Sequence, residues 1–263
     1  VGYVARWGEL IIGLSYVWQG QVLLAENLLQ PAVAMADADL GRRNRLSCVL
    51  AALLASAVWE RGRPGDAAAL LADRLDVLEH GGLPEALLLA YRTMARMAMA
   101  EGAEHRAMEL LAALDAVGTA RALPRLRIAS LVEQVRMHAR RYRAQTCAAL
   151  CERIDAIMEG DALPSGRLWR RSVDPLRGLA QGYAAIAAQD WRAALEPLAQ
   201  AESRARQLGQ GRLHIELLGL RAFALDRCGE RADALMRESI DLAQSYGLVR
   251  VFECSILPDH RPY

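Results

Sequence analysis

The sequence contains no lysine, so arginine supplies all 32 of its basic side chains. Without lysine the chain cannot perform Schiff-base chemistry or build a phosphate-binding loop that depends on that residue. The basic side chains are balanced by 31 acidic ones, which leaves a formal net charge of +1. Nucleic-acid-binding proteins usually have a basic excess, so we expect no direct nucleic-acid binding by this chain.

Aromatic residues and long apolar runs are also scarce. Aromatics make up 5% of the 263 residues and hydrophobic residues make up 53%, so alanine and leucine must form most of the core. The longest apolar run near the start, Leu10–Leu14, is far too short to cross a bilayer. No signal peptide is visible, and strand-like alternation is almost absent. We therefore expect an all-α, cytoplasmic protein without membrane contact.

Neither the cysteines nor the histidines show a spacing typical of catalysis or metal binding. Cys147 and Cys151 lie one helical turn apart, but a structural zinc site needs about four ligands and no second pair lies nearby. No serine, cysteine or histidine grouping resembles a nucleophile with its base. The sequence predicts no enzymatic activity, no metal site and no cofactor.

Pairs of small residues that stand twelve positions apart recur six times and predict the fold. The pairs are Gly13/Ala25, Ala55/Ala67, Ala95/Ala107, Gln134/Thr146, Gly182/Ala194 and Ala222/Ala234, of which the fourth departs from the rule. Five positions before each second member stands a residue of the predicted turn: Gly20, Gly62, Gly102, Arg141, Gln189 or Gly229. Small residues on both sides of a turn let two antiparallel helices approach closely, as in tetratricopeptide repeats. We predict a right-handed superhelical solenoid of about six antiparallel helix pairs.

These repeats predict one helical-repeat domain over residues 1–247 and a short extended tail over residues 248–263. Successive second members are 42, 40, 39, 48 and 40 residues apart, and the long interval contains several glycines and prolines. We interpret it as an insertion loop near residues 160–172 within one solenoid. Because the sequence begins with valine rather than methionine, we interpret it as part of a longer protein.

Repeats of about 40 residues exceed the roughly 34 of standard tetratricopeptide repeats. Their length, the phrases Trp59–Arg61 and Leu89–Arg92, and the closing run Ala243–Phe252 resemble the sensor region of MalT-like, LuxR-type transcriptional regulators. The resemblance covers essentially the whole chain and implies an effector-sensing regulatory domain. In that family the sensor lies between a nucleotide-binding ATPase and a helix-turn-helix DNA-binding domain. Neither the phosphate-binding loop nor the DNA-binding domain is found here, so the resemblance assigns neither ATP hydrolysis nor DNA binding to this chain.

A second interpretation is a free-standing tetratricopeptide scaffold that mediates protein–protein interaction. A gene that also encodes the two flanking domains would favour the regulator over the scaffold. The sequence leaves open the class of ligand and the oligomeric state. Terminal repeats expose apolar faces unless they are capped, which also allows self-association.

The candidate binding surface is the concave face formed by the first helix of each pair. Positions at fixed offsets from the first small residue of each pair select Trp59, Arg92, Arg96, His138, Tyr183, Phe223 and Asp226. The aromatic side chains could stack on a sugar ring or a peptide side chain, and the polar ones could bind its charges. The alternative is that the aromatics only pack between repeats. We predict a small-molecule effector, or a protein or peptide partner, in this groove.

Overall fold

A computed structural model describes residues 2–160 and 167–252, and these residues form helices and turns without any strand. The all-α prediction is therefore confirmed. The helices are α1 (Gly2–Trp18), α2 (Val22–Leu40), α3 (Arg45–Glu60), α4 (Pro64–Leu71), α5 (Leu75–Gly81), α6 (Pro84–Ala100), α7 (Glu104–Ala120), α8 (Pro124–Ala139), α9 (Ala144–Glu159), α10 (Arg167–Ala187), α11 (Trp191–Gln207), α12 (Gly211–Arg227) and α13 (Asp233–Tyr246). Among these helices none is long and apolar enough to span a membrane.

Two predicted segments lie partly outside the described residues. Residues 161–166 of the predicted insertion and residues 253–263 of the predicted tail fall there, whereas α10 already begins at Arg167. The described start of the tail differs from the extended run that its sequence predicts, because residues 249–252 form bends and a turn. The extent of the repeat domain stays a prediction.

The chain divides into two compact units, in each of which helix pairs stack in sequence. Of the described residues, 2–117 and 246–250 form the first unit, and 118–160, 167–245 and 251–252 form the second. In the first unit, α3 packs against both helices of the preceding pair, α1 and α2, and against the following α6. In the second unit, α10 packs in the same way against α8, α9 and α12. First helices that contact both neighbouring pairs are the packing pattern of helical-hairpin repeats.

The tight turn inside each pair places one residue in the left-handed region of backbone space. Its occupants are Gly20, Gly62, Gly102, Tyr142, Gln189 and Gly229, with φ between 53° and 80°. Glycine adopts this conformation without strain, which explains why it is the commonest residue there. The fourth turn is thus centred on Tyr142 and not on Arg141.

The fourth small-residue pair is therefore displaced by one position from the prediction. Val135 and Cys147 are both fully buried, and the Cys147 thiol lies 3.6 Å from the Val135 carbonyl oxygen to which it donates. Thr146, which the sequence analysis placed there, is exposed. The prediction of Gln134/Thr146 is wrong because the tight turn is centred on Tyr142, one residue later than predicted, which displaces both members of the pair by one position.

Two glycines of the predicted pairs lie where the helices are in closest contact. A Cβ atom on Gly13 would stand 2.5 Å from Leu29 Cδ2, and one on Gly182 would stand 2.4 Å from Leu198 Cδ2. These distances are shorter than van der Waals contact, so any larger residue at either position would displace the facing leucine side chain. The sixth pair departs from the pattern, because Ala222 is buried but Ala234 is exposed.

The second helix of the second pair is broken, which the sequence analysis did not anticipate. Asp73, between α4 and α5, has a φ of +57°. Arg42 donates to the carbonyl oxygens of Ala69 and Ala72 at 2.6 and 3.2 Å. Arg74 is completely buried and pairs with Asp37 at 2.5 Å. Arginine side chains thus satisfy polar groups around the break.

We predict that Gly178→Ala destabilises the fold, because its new Cβ would lie 2.7 Å from Ala201 Cβ and 2.9 Å from the backbone oxygen of Pro197. Overpacking costs about 1–3 kcal/mol, which exceeds the gain in helix propensity of about 1 kcal/mol. Gly8→Ala is the matched control, since a Cβ there meets nothing within 4 Å. Urea denaturation should show a lower free energy of unfolding for Gly178→Ala and a slightly higher one for Gly8→Ala. Equal shifts in the two variants would contradict the close-approach explanation.

Candidate functional site

The seven predicted binding residues differ in accessibility and are divided between the two units. Four of them are buried, with exposed fractions between 0% and 6%: Trp59, Arg96, Tyr183 and Phe223. Arg92 and His138 are partly exposed, and Asp226 is exposed. Trp59, Arg92 and Arg96 belong to the first unit and the other four to the second. Their binding roles stay predictions, and the buried members could meet a ligand only if the surrounding structure moved.

In the first unit, Arg96 forms an ion pair that joins two successive first helices. Its Nη1 atom lies 3.1 Å from Oε1 of Glu60, and the two side chains are 6% and 4% exposed. Arg96 lies on α6 and Glu60 is the last residue of α3. Because both groups are removed from water, their pairing offsets part of the cost of burying the two charges.

In the second unit, the residue equivalent to Arg96 is Arg136, which the sequence analysis missed. Arg96 directly follows Ala95, and Arg136 directly follows Val135 in the corrected register. The prediction of His138 came from counting from Gln134. His138 instead lies beside Arg143, with Nδ1 3.2 Å from Nη1. The constant spacing of 40 residues from Ala67 through Ala107 to Cys147 is the signal that identifies Arg136.

Arg136 is the centre of a buried network that joins α8, α10 and α12. Its Nη2 lies 2.7 Å from Oε1 of Glu216, and its Nη1 lies 2.5 Å from Oε2 of Glu133. Glu216 also accepts a hydrogen bond from the Tyr183 hydroxyl at 2.6 Å and pairs with Arg212 at 2.8 Å. The Arg136 guanidinium lies 5.7 Å from the centroid of the Tyr183 ring. The Tyr183 hydroxyl and the two Nη atoms of Arg136 are thus used within the protein.

Burial, followed by the negative charge of Glu216, raises the pKa of the Tyr183 hydroxyl well above its usual value. The side chain is fully buried. Tyr183 therefore acts as a neutral hydrogen-bond donor to Glu216.

Phe223 belongs to an aromatic cluster that an arginine covers. Its ring makes an edge contact with Trp191, with the ring centroids 5.5 Å apart. The guanidinium of exposed Arg227 lies 5.3 Å from the Phe223 centroid and 5.6 Å from that of Trp191. Arginine stacking of this kind is favourable because the positive charge faces the negative surface of the rings.

Trp59 is covered by a distant segment of the chain. The Arg250 guanidinium lies 4.2 Å from the centroid of its indole ring. The backbone amides of Val249 and Arg250 donate to the carbonyl oxygen of Glu60 at 2.8 and 3.3 Å. The sequence analysis did not foresee this contact, because no local pattern encodes an interaction across about 190 residues.

Helix α1 carries the most prominent set of exposed apolar side chains in the described structure. Tyr3, Val4, Trp7, Ile11 and Ile12 are between 39% and 76% exposed. The only charged residues of α1, Arg6 and Glu9, pair with each other at 2.9 Å. The exposed face of α1 consequently carries no uncompensated charge.

The equivalent positions are buried in α3, the first helix of the next pair. The first small residues Gly13 and Ala55 are 42 positions apart, so Val4, Ile11 and Ile12 correspond to Leu46, Leu53 and Leu54 of α3. The three leucines are 1–3% exposed. In the described structure, α3 packs against the α1–α2 pair. We call residues Val4, Trp7, Gly8, Ile11 and Ile12 the α1 face; by this equivalence it is a repeat-stacking surface.

The cavities of the second unit do not coincide with the predicted binding residues. A cavity of about 500 Å³ is lined by residues of α7, α8 and α9 and their connections, among them Leu123, Arg127 and Arg153. Another of about 580 Å³ is lined by residues including Asp174 and Arg204. None of the seven predicted residues lines either cavity. Within residues 2–160 and 167–252, no three His, Cys, Asp or Glu side chains come together as metal ligands would.

Comparison with known proteins gives little further information. No protein-family model and no curated protein matches the chain. Among solved structures, a putative kinesin light chain from Podosopora anserina, described as having nearly identical TPR-like repeats, matches at 19% identity with a TM-score of 0.34. The match covers 90% of this chain and 94% of that one. At this TM-score the fold assignment continues to rest on the helix packing described above.

We predict that Arg136→Met lowers the free energy of unfolding by about 3–5 kcal/mol, because it leaves Glu133 and Glu216 buried without their shared cation. Arg192→Met is the control, since the pair of Arg192 with Glu230 is largely exposed and should contribute less than about 1 kcal/mol. Thermal melting followed by circular dichroism measures both effects. Similar melting temperatures for the two variants would show that the buried network is not a major source of stability.

Stability should decrease as the pH rises above about 10. An unfolded tyrosine loses its proton near that pH, whereas burial holds the pKa of Tyr183 higher in the folded state. The folded chain therefore keeps a proton that the unfolded chain releases, and alkali favours unfolding. Urea denaturation of the wild type and of Tyr183→Phe between pH 8 and about 11 should show a shallower decline for the variant. Parallel declines would contradict this assignment.

Proposed function

We propose that this chain is a protein-interaction domain that binds a helical partner on its α1 face. The observation that carries the proposal is the exposure, on α1, of apolar side chains whose equivalents are buried in α3, a helix that packs against the α1–α2 pair. A contiguous exposed apolar surface is typical of a site of protein association. The α1–α2 pair, which packs against α3, is an example of a helical element that covers an equivalent face.

The chemistry of the α1 face favours an apolar helix as the partner element. Burying a charged side chain against a surface without complementary charge would be unfavourable, so the partner's contacting residues should be uncharged. Gly8 lies on this face, is exposed and has no neighbouring atom within 4 Å of the position of a Cβ. A glycine at this point permits close approach of another helix.

A small-molecule binding groove on the concave face formed by the first helix of each pair has less support. Arg96, Tyr183 and Arg136 are buried and engaged with carboxylates of the chain itself. A ligand that reached them would have to displace these contacts and leave buried charges without partners. Binding at the α1 face requires no such rearrangement.

We further propose that the interaction is regulatory, as in the sensor region of MalT-like, LuxR-type transcriptional regulators, and that the chain has no catalytic activity of its own. Support for this finer assignment is the resemblance in the run Ala243–Phe252. Partner binding would then favour one of two packing states of the repeats. The alternative is a free-standing tetratricopeptide scaffold, for which the same α1 face would serve as a constant docking surface.

The proposal predicts that a photo-crosslinking amino acid at position 11 captures a specific protein in the native host, whereas the same group at position 240 does not. Ile240 is the matched control, because it is also an exposed isoleucine on a helix, 38% exposed against 65% for Ile11. The captured protein, once purified, should bind the wild type and Ile240→Glu. It should bind Ile11→Glu at least about tenfold more weakly, since the new carboxylate would have to be desolvated.

Equal binding to Ile11→Glu and Ile240→Glu would argue against the α1 face as the docking surface. A small molecule that raises the melting temperature of the wild type but not of Arg96→Ala would instead support the groove predicted from the sequence. Circular dichroism of each variant establishes that the fold is retained.

A further inference from the structure

The carbonyl groups at the end of α3 are divided between local and distant partners. The carbonyls of Ala57, Val58 and Trp59 accept hydrogen bonds from Arg61, Arg63 and Gly62, respectively. The next carbonyl, that of Glu60, accepts hydrogen bonds from the amides of Val249 and Arg250. The last carbonyls of a helix have no partner within it and carry partial negative charge. A segment with donors and a positive charge is therefore suited to this helix end.

Arg250 supplies that positive charge. Its guanidinium lies 4.2 Å from the centroid of the Trp59 ring, in the last turn of α3. An arginine over an indole face contributes about 0.5–2 kcal/mol, more when it is desolvated. The partial negative charge at the helix end attracts the same group.

The segment is held mainly through its backbone and two of its side chains. Gly247 has a φ of +79°, and a Cβ on it would lie 2.6 Å from Leu23 Cγ. Leu248 is buried, whereas the Val249 side chain is 59% exposed. A segment bound in this way therefore needs a tight turn at the position of Gly247, an aliphatic residue at that of Leu248 and an arginine at that of Arg250. The residue at the position of Val249, between the last two, is unconstrained. This is the chemistry with which a repeat protein could recognise a peptide.

We propose that the end of α3 is a recognition site for an arginine-bearing peptide segment, and that residues 247–250 occupy it as an intramolecular ligand. A partner segment with an aliphatic residue two positions before an arginine would compete for the same carbonyl and the same indole face. The chain's own segment thereby limits access to the site. This site is separate from the α1 face and stands without the function proposed for that face.

A labelled peptide with the sequence of Ser245–Phe252 tests the proposal when its fluorescence anisotropy is measured against the full chain. The wild type, whose site is occupied by its own segment, should bind the peptide weakly. Arg250→Ala should bind it about tenfold more tightly, because the competing contact is weakened. A peptide in which alanine replaces the arginine should not bind either protein.

Three additional variants keep the result interpretable. Val249→Pro removes the amide that donates to Glu60 while the side chain stays in solvent, and it should also increase peptide affinity. Trp59→Phe combined with Arg250→Ala should weaken peptide binding again while preserving an aromatic core residue. Ile11→Glu should leave peptide binding unchanged, which separates this site from the α1 face. Equal affinity of all the variants for the peptide, or binding of the arginine-free peptide, would show that residues 247–250 are only a structural cap.

Discussion

The tight turn within each helix pair sets the rotational phase of the two helices that it joins. One left-handed residue, such as Gly62 or Tyr142, is followed five positions later by a residue that packs against the preceding helix. Once this spacing along the sequence is fixed, the regular geometry of each helix determines the direction in which its other side chains point. The closely packed positions within each pair follow from that phase.

Arginine performs the tasks that several residue types share in other proteins. Buried in pairs, as Arg96 and Arg136 are, it offers a planar group that can bond two carboxylate oxygens. At Trp59 and Phe223 it lies instead over an aromatic ring. A lysine would do both less well, because it is a point charge with a strongly hydrated ammonium group. The side chains of Trp59, Arg96, Tyr183 and Phe223 are consequently engaged within the protein itself.

Local spacing predicted the helix pairs and most of their turns, because close approach at Gly13 and Gly182 leaves a mark in the sequence that needs no partner to be known. It failed at the fourth pair, because no glycine marks the turn at Tyr142 and the pair was therefore placed one position too early. It also could not separate Tyr183, whose hydroxyl is used by Glu216, from an accessible ligand-binding side chain. That distinction depends on the hydrogen bond between Tyr183 and Glu216, which lie on different helices and are 33 positions apart in sequence. The contact of Arg250 with Trp59 and the exposure of Ile11 are likewise invisible locally, since both depend on which helix is a neighbour.

Hydrogen–deuterium exchange of the chain, with and without the partner captured at position 11, tests the central claim most directly. The account predicts that binding slows exchange in α1, while α8, α10 and α12, which carry the buried network, exchange at unchanged rates. Slower exchange in those three helices with no change in α1 would contradict this claim. It would indicate instead that the partner binds in the concave groove predicted from the sequence.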